Sequence, residues 1–124
     1  MAKVLVVEDN PANMKLAVLL LETAGHAVIT AKDAEAGLIL ARDEQPDLIL
    51  MDIQLPDMDG LEATALLKRA DATRAIPVIA LTALVMKGDE ERIRAAGCDG
   101  YIAKPLSYRE FLATIAERLG TLST

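Results

Sequence analysis

The stretch from Leu48 to Gly60, LILMDIQLPDMDG, constrains this chain more than any other. Leu48-Ile49-Leu50-Met51 is an unbroken apolar run, preceded by Gln45-Pro46-Asp47 and ending in Asp52. A run of that length without polar alternation is a strand buried on both faces, the habit of parallel sheets covered by helices. Asp52 then stands at the carboxyl end of the strand, where the chain leaves the sheet. Pro56 and Asp59-Gly60 mark a loop before a helical pattern. In open parallel sheets this edge is where ligands bind. The plainer alternative is that Asp52 caps a turn. The other strand ends decide between the two.

Val4-Leu5-Val6-Val7 is a second such run and ends in Glu8-Asp9. Asn10-Pro11 opens a helix, with Asn as N-cap and Pro at the first helical position. That helix runs to about Ala24, where Gly25 stops it. A weaker strand spans Ala27 to Ala31, and Asp33 caps a helix over Ala34 to Arg42. A third helix is predicted from Leu61 to Lys68. Ile76 to Leu81 gives the fourth strand, ending at Thr82, and the fourth helix covers Lys87 to Ala96 before Gly97. Gly100 to Ala103 is the fifth strand, ending at Lys104-Pro105, and Ser107 caps a last helix reaching about Leu119. Five strand-helix repeats require an α/β fold: a doubly wound, five-stranded parallel sheet with right-handed crossovers. The expected strand order is 2-1-3-4-5, the flavodoxin-like (βα)5 arrangement. At 124 residues the chain is expected to form a single domain, residues 1–124, large enough to bury a core without staples.

Composition narrows the partners. Aromatic residues make up 2% of the chain, so the core is aliphatic. A net charge of −6 argues against nonspecific binding to nucleic acid or to an anionic membrane surface. The single cysteine, Cys98, excludes an internal disulfide framework and a cysteine zinc cage, which fits a reducing cytoplasm. Neither a signal peptide nor a membrane span is legible, so a cytoplasmic location is expected.

Parallel strands all point one way, so Glu8, Asp9, Asp52, Thr82 and Lys104 converge on one sheet edge. Three crowded carboxylates repel one another, and a hard divalent cation resolves that. Mg²⁺ takes oxygen ligands from one or two carboxylates and a phosphate, with Mn²⁺ as the alternative. Lys104 adds a positive point charge and Thr82 a hydroxyl. Such a site suits in-line phosphoryl transfer to a carboxylate. No Gly-rich phosphate loop is present, and the lone His26 lies away from this edge.

The motifs Val-Leu-Val-Val-Glu8-Asp9-Asn10, Leu-Met-Asp52-Ile-Gln-Leu-Pro-Asp-Met-Asp-Gly60, Ala-Leu-Thr82-Ala83 and Tyr101-Ile-Ala-Lys104-Pro105 occur in that order. Together they resemble the receiver domains of bacterial two-component response regulators, over essentially the whole chain. The resemblance implies that Asp52 accepts a phosphoryl group from a histidine kinase or a histidine phosphotransfer protein. It implies Mg²⁺ held by Asp9, Asp52 and the backbone carbonyl of Gln54, with Glu8 acting through water. Thr82, Ala83, Lys104 and Tyr101 would bind the phosphoryl group or relay its presence, and the Lys104-Pro105 bond would be cis. A downstream protein would read the face formed by the fourth helix, fifth strand and fifth helix. No output domain is expected. The run Met86 to Arg94 followed by Gly97-Cys98-Asp99 resembles single-domain regulators of the cell-cycle type.

Other readings of single residues stand beside these. Glu8-Asp9 could serve only as charge at a helix dipole, Thr82 as a strand-end cap, and Tyr101 as a core aromatic with a wet hydroxyl. Cys98 reads as a small buried hydrophobe. On the first helix, Met14, Ala17, Val18 and Leu21 form one stripe for the sheet. Ala12, Asn13, Leu16 and Leu20 lie to another side and, with Pro105, form a candidate strip for a partner helix. A hydrolase working through an aspartyl-phosphate, or a phosphate-independent scaffold, are the competing functions. The hydrolase lacks a second catalytic Asp two residues after Asp52, where Gln54 stands, and the scaffold leaves the acidic cluster without use.

Overall fold

The structure, a computed structural model, describes residues 2–83 and 87–123. Strand and helix alternate: β1 Lys3–Val7, α1 Pro11–Thr23, β2 Ala27–Ala31, α2 Ala34–Glu44, β3 Leu48–Asp52, α3 Gly60–Arg69, β4 Val78–Thr82, α4 Lys87–Ala95, β5 Gly100–Ala103 and α5 Tyr108–Ser123. All strands pair in parallel in the order β2-β1-β3-β4-β5. That is the doubly wound arrangement expected of continuous apolar runs separated by helices.

The period of two along each strand sorts side chains into two cores. Leu5, Val7, Ile49, Met51, Val78 and Ala80 face Ala34, Ala41, Ala63, Leu67 and Ile93 in the layer of α2, α3 and α4. Val4, Val6, Leu48, Leu50, Ile79, Leu81 and Ile102 face Ala17, Leu20, Leu21, Phe111 and Ile115 in the layer of α1 and α5. The central strands are covered on both faces, which is why β1, β3 and β4 read as unbroken apolar text.

Local chemistry sets the helix starts beside the sheet edge. Asn10 accepts a hydrogen bond from the Asn13 amide at 3.0 Å, and Pro11 takes the first helical position. Asp33 accepts from the Ala36 amide at 2.8 Å and Asp59 from the Leu61 amide at 2.7 Å. The Lys104–Pro105 peptide is cis.

Several expectations shift. β4 starts at Val78, two residues late, and it includes Thr82. α2 continues to Glu44 because Gln45, in left-handed backbone at φ 46°, ends it where a glycine would be the usual choice. α5 extends to Ser123. The larger correction concerns α1. Leu20 is a core residue, 7% exposed and packed in the α1–α5 layer, so it is not part of an external strip. The exposed leucines of α1 are Leu16 at 37% and Leu19 at 59%. Leu20 lies three residues after Ala17, so both fall on the stripe that faces the sheet.

Candidate functional site

Glu8 and Asp9 leave the end of β1, and Asp52 closes β3 beside it. One carboxylate oxygen from each lies within 4.8 Å of the others, close enough to hold one metal ion. Glu8 is the innermost, 1% exposed; Asp52 is buried at 4%; Asp9 faces solvent. The backbone amide of Asn10 donates to Glu8 at 3.3 Å.

Lys104 reaches into this cluster from the end of β5. Its Nζ donates to Glu8 Oε1 at 2.7 Å and lies 3.1 Å from Asp52 Oδ2. The other Asp52 oxygen, Oδ1, accepts the Gln54 amide at 3.1 Å. Both oxygens are therefore held, and the carboxylate has a fixed orientation. Burial pushes the Glu8 carboxyl up to about 7, and the neighbouring Asp52 carboxylate adds to the effect while Lys104 opposes it. For Lys104, burial works to lower the ammonium's pKa. The hydrogen bond to Glu8 and the charge of Asp52 outweigh it, so the net shift is upward.

A cavity of about 50 Å³ opens beside Asp52. Thr82, Ala83, Gln54 and Lys104 line it on the strand side, and Asp89, Arg92 and Ile93 of α4 line it opposite. Thr82 is 5% exposed and pairs across the sheet with Ala103. Tyr101 is half-buried against the α2–α3–α4 core, paired with Ala80. Expected shifts in the loop after Thr82 fall on residues 84–86, and with them Met86, outside the described residues. On the helix side of the edge, Ala12, Leu16 and Pro105 are exposed and Asn13 is half-buried, whereas Leu20 is in the core.

Two supporting residues had no functional signal in the sequence beyond loop chemistry. Gly60 packs its backbone directly on the end of β3 and the residue after it. Its amide donates to the Ile53 carbonyl at 2.8 Å, and a Cβ there would lie 2.0 Å from the Asp52 carbonyl oxygen. Asp57 reaches back across 23 residues to the start of α2. It accepts the amides of Ala34 and Glu35, each at 2.9 Å, which lowers its carboxyl pKa. Cys98 and His26 stay outside the site. Cys98 is buried beside Thr64, and burial raises its thiol; His26 accepts the Ala2 amide through Nδ1 at 3.3 Å.

Three carboxylates that could hold a metal ion, a half-buried ammonium and a buried hydroxyl thus meet at one edge of the parallel sheet. The family model of the response regulator receiver domain matches residues 4–116. The chain belongs to the response regulator receiver family. It is a signalling module of two-component systems. Within that family, the receiver is 55% identical over 117 residues to the polar-differentiation response regulator DivK of Brucella anthropi, covering 94% of this chain and 95% of the relative. It is 54% identical, at the same coverage, to the protein of that name in Brucella ovis. Among solved structures, it is similar to the receiver domain of a Pseudomonas aeruginosa sensor histidine kinase, described with a magnesium ion in its active-site cleft. That match has a TM-score of 0.89 and 34% identity, and covers 96% of this chain and 98% of that one. The Vibrio cholerae chemotaxis protein CheY4 is 28% identical with a TM-score of 0.89, covering 94% and 98% of the two chains. Among the described residues, no helix of this receiver is long and apolar enough to cross a membrane.

Proposed function

We propose that this receiver takes a phosphoryl group on Asp52 from the phosphohistidine of a histidine kinase or phosphotransfer protein. The carrying observation is the Lys104 ammonium seated between Glu8 at 2.7 Å and Asp52 at 3.1 Å, at the mouth of a cavity that reaches Thr82. The donor set is all oxygen and largely carboxylate, which fits a hard divalent ion such as Mg²⁺. Asp9, Asp52 and the Gln54 carbonyl would hold it, with Glu8 acting through water. When bound, the ion supplies the positive charge that lets an anionic carboxylate approach an anionic phosphoryl group.

The chain's own residues do the rest. The Gln54 amide fixes one Asp52 oxygen, so the carboxylate faces its donor without searching rotamers. An Asp52 oxygen attacks phosphorus in line. The P–N bond of phosphohistidine breaks, its electron pair goes to the imidazole nitrogen, and that nitrogen takes up a proton. Lys104 exchanges its contact with Asp52 Oδ2 for a phosphoryl oxygen, and the Thr82 hydroxyl donates to another. Exposed Ala12 and Leu16, with Pro105, form the edge on which the donor protein docks. Ala80, Thr82, Tyr101 and Ala103 share one sheet face, with Thr82 and Tyr101 diagonal neighbours on adjacent strands. An inward move of Thr82 opens room that the Tyr101 ring fills, shifting the α4–β5–α5 face toward a downstream protein. The extent and identity of the Brucella relatives support a stand-alone cytoplasmic regulator with a role in cell-cycle or polar-differentiation signalling.

The test is incubation with Mg²⁺ and phosphoramidate, followed by mass spectrometry of the intact protein and its peptides. A hydroxylamine-labile phosphate on Asp52, absent in Asp52→Asn, is expected. An adduct elsewhere, or none, refutes the assignment.

A further inference from the structure

The cavity beside Asp52 has a second basic wall. Among the described residues lining it, the cations are Lys104 and Arg92. Lys104 is already shared between two carboxylates. Arg92, on α4, pairs with Asp89 one turn earlier at 3.3 Å, and both line the cavity. We propose that Arg92 is a second phosphate-binding cation of this site, parked on Asp89 until Asp52 is phosphorylated. The proposal rests on the phosphorylation of Asp52 argued above.

The charges give the reason. Phosphorylation replaces the single charge of Asp52 with roughly two on the phosphoryl oxygens. Lys104 remains committed in part to Glu8, so the added charge meets an incompletely neutralised cavity. Asp89 faces that charge with the same sign. Arg92 faces it with the opposite sign and a planar fork that matches phosphate oxygens. Its present bond is easily exchanged. The Arg92 side chain is 63% exposed, and an i,i+3 pair of this kind contributes little to stability. Desolvating a weakly hydrated guanidinium that already borders the cavity costs less than drawing in a distant one. The exchange has a structural consequence, because Arg92 and Asp89 sit in the first two turns of α4. Moving the guanidinium from Asp89 to the phosphoryl group ties α4 directly to Asp52, by a route separate from Thr82 and Tyr101.

The experiment uses the full chain with Mg²⁺. It measures affinity for beryllium fluoride as a non-covalent phosphoryl mimic, and the lifetime of the aspartyl-phosphate made with phosphoramidate. Arg92→Gln is expected to weaken mimic binding and shorten the lifetime by roughly 1.5-fold to fivefold, the range for one partly exposed charged contact. It also flattens the salt dependence of mimic affinity, and Arg92→Lys restores only part of the loss. Asp89→Asn acts in the opposite direction, because it releases Arg92 beforehand. In the double variant that gain shrinks to the part that comes from removing the Asp89 charge itself. Metal-free melting temperatures stay within a degree or two of each other, which separates ligation from folding. If Arg92→Gln binds the mimic as wild type does, or if the Asp89→Asn gain survives unchanged in the Arg92→Gln background, the inference is overturned. A wild type that accepts neither mimic nor phosphoryl overturns both this inference and the function beneath it. A wild type that accepts them with Arg92→Gln unaffected overturns this inference alone.

Discussion

Replacing Gly60 by alanine adds one methyl group, and the structure makes it a severe change. The new Cβ would lie 2.0 Å from the Asp52 carbonyl oxygen and 2.8 Å from both the Asp52 carbonyl carbon and the Ile53 Cα. Ordinary contact begins near 3.4 Å, well beyond all three and more than an ångström beyond the first. All three atoms are backbone, so no rotamer change relieves the clash. Either the start of α3 lifts away, breaking the 2.8 Å bond from the Gly60 amide to Ile53, or the end of β3 distorts. Overpacking of this kind costs about 1–3 kcal/mol, and a backbone obstacle places it at the upper end or beyond. For a domain of this size about 3 kcal/mol lowers the melting temperature on the order of 10 °C.

The damage is also local to the proposed chemistry, since Asp52 to Gln54 carry the proposed acceptor carboxylate and the amide that holds it. Gly60→Ala is therefore expected to lose Mg²⁺-dependent stabilisation and phosphoramidate labelling along with stability. Gly88→Ala is the internal comparison. Among the described residues nothing lies within 4 Å of a Cβ there, and the substitution should leave stability unchanged or raise it by up to about 1 kcal/mol. The assay is thermal unfolding by circular dichroism with and without Mg²⁺. A Gly60→Ala protein melting within 2–3 °C of wild type, with its metal response intact, would refute the close-approach argument.

Leu20→Ala should cost about 2–4 kcal/mol as a core truncation, whereas Leu16→Ala changes stability little and slows phosphotransfer from a protein donor but not from phosphoramidate; equal slowing with both donors would remove Leu16 from the docking edge. Glu8 has a folded pKa near 7 against an ordinary 4.5, so its contribution is fully present below pH 4.5 and is lost as pH rises through 7. Metal-free wild type should therefore lose stability relative to Glu8→Gln across that window, and a difference between the two that is flat in pH would contradict the assigned burial. Asp57 behaves oppositely: its lowered pKa means that the α2 cap holds above the ordinary carboxylate range and is lost as pH falls through the folded value. Asp57→Ala should lower the melting temperature at neutral pH, with the deficit shrinking in acid, and hydrogen exchange should locate the loosening at residues 34–36. Tyr101→Ala should keep Asp52 labelling and weaken the amide shifts that phosphorylation induces in α4 and β5; undiminished shifts would exclude the ring from the switch.

What the sequence shows of this molecule follows from which forces act locally. Strand ends are legible because double-sided burial turns β1, β3 and β4 into apolar runs, and the first polar residue after each run marks the sheet edge. The parallel topology then brings Glu8, Asp9, Asp52, Thr82 and Lys104 together without any knowledge of distances. The facing of α1 is less legible. Six consecutive apolar residues, Leu16 to Leu21, with Lys15 before them and Glu22 after, leave helical period with little contrast. The choice between Leu16 and Leu20 is made by Phe111 and Ile115, which come from α5 nearly a hundred residues later. Gly60 reads as a turn former, yet its requirement is set by the Asp52 backbone. Asp57 reads as one more loop acid, although its partners are the amides of Ala34 and Glu35. Arg92 reads as a solvated helix charge, and only the cavity shows it opposite Lys104. In each case the residue's chemistry is visible in the text, and its target is supplied by a distant segment. The proposed acceptor can thus be named from the order of residues, while the groups proposed to orient it and answer its charge depend on how α2, α3 and α4 close around β3.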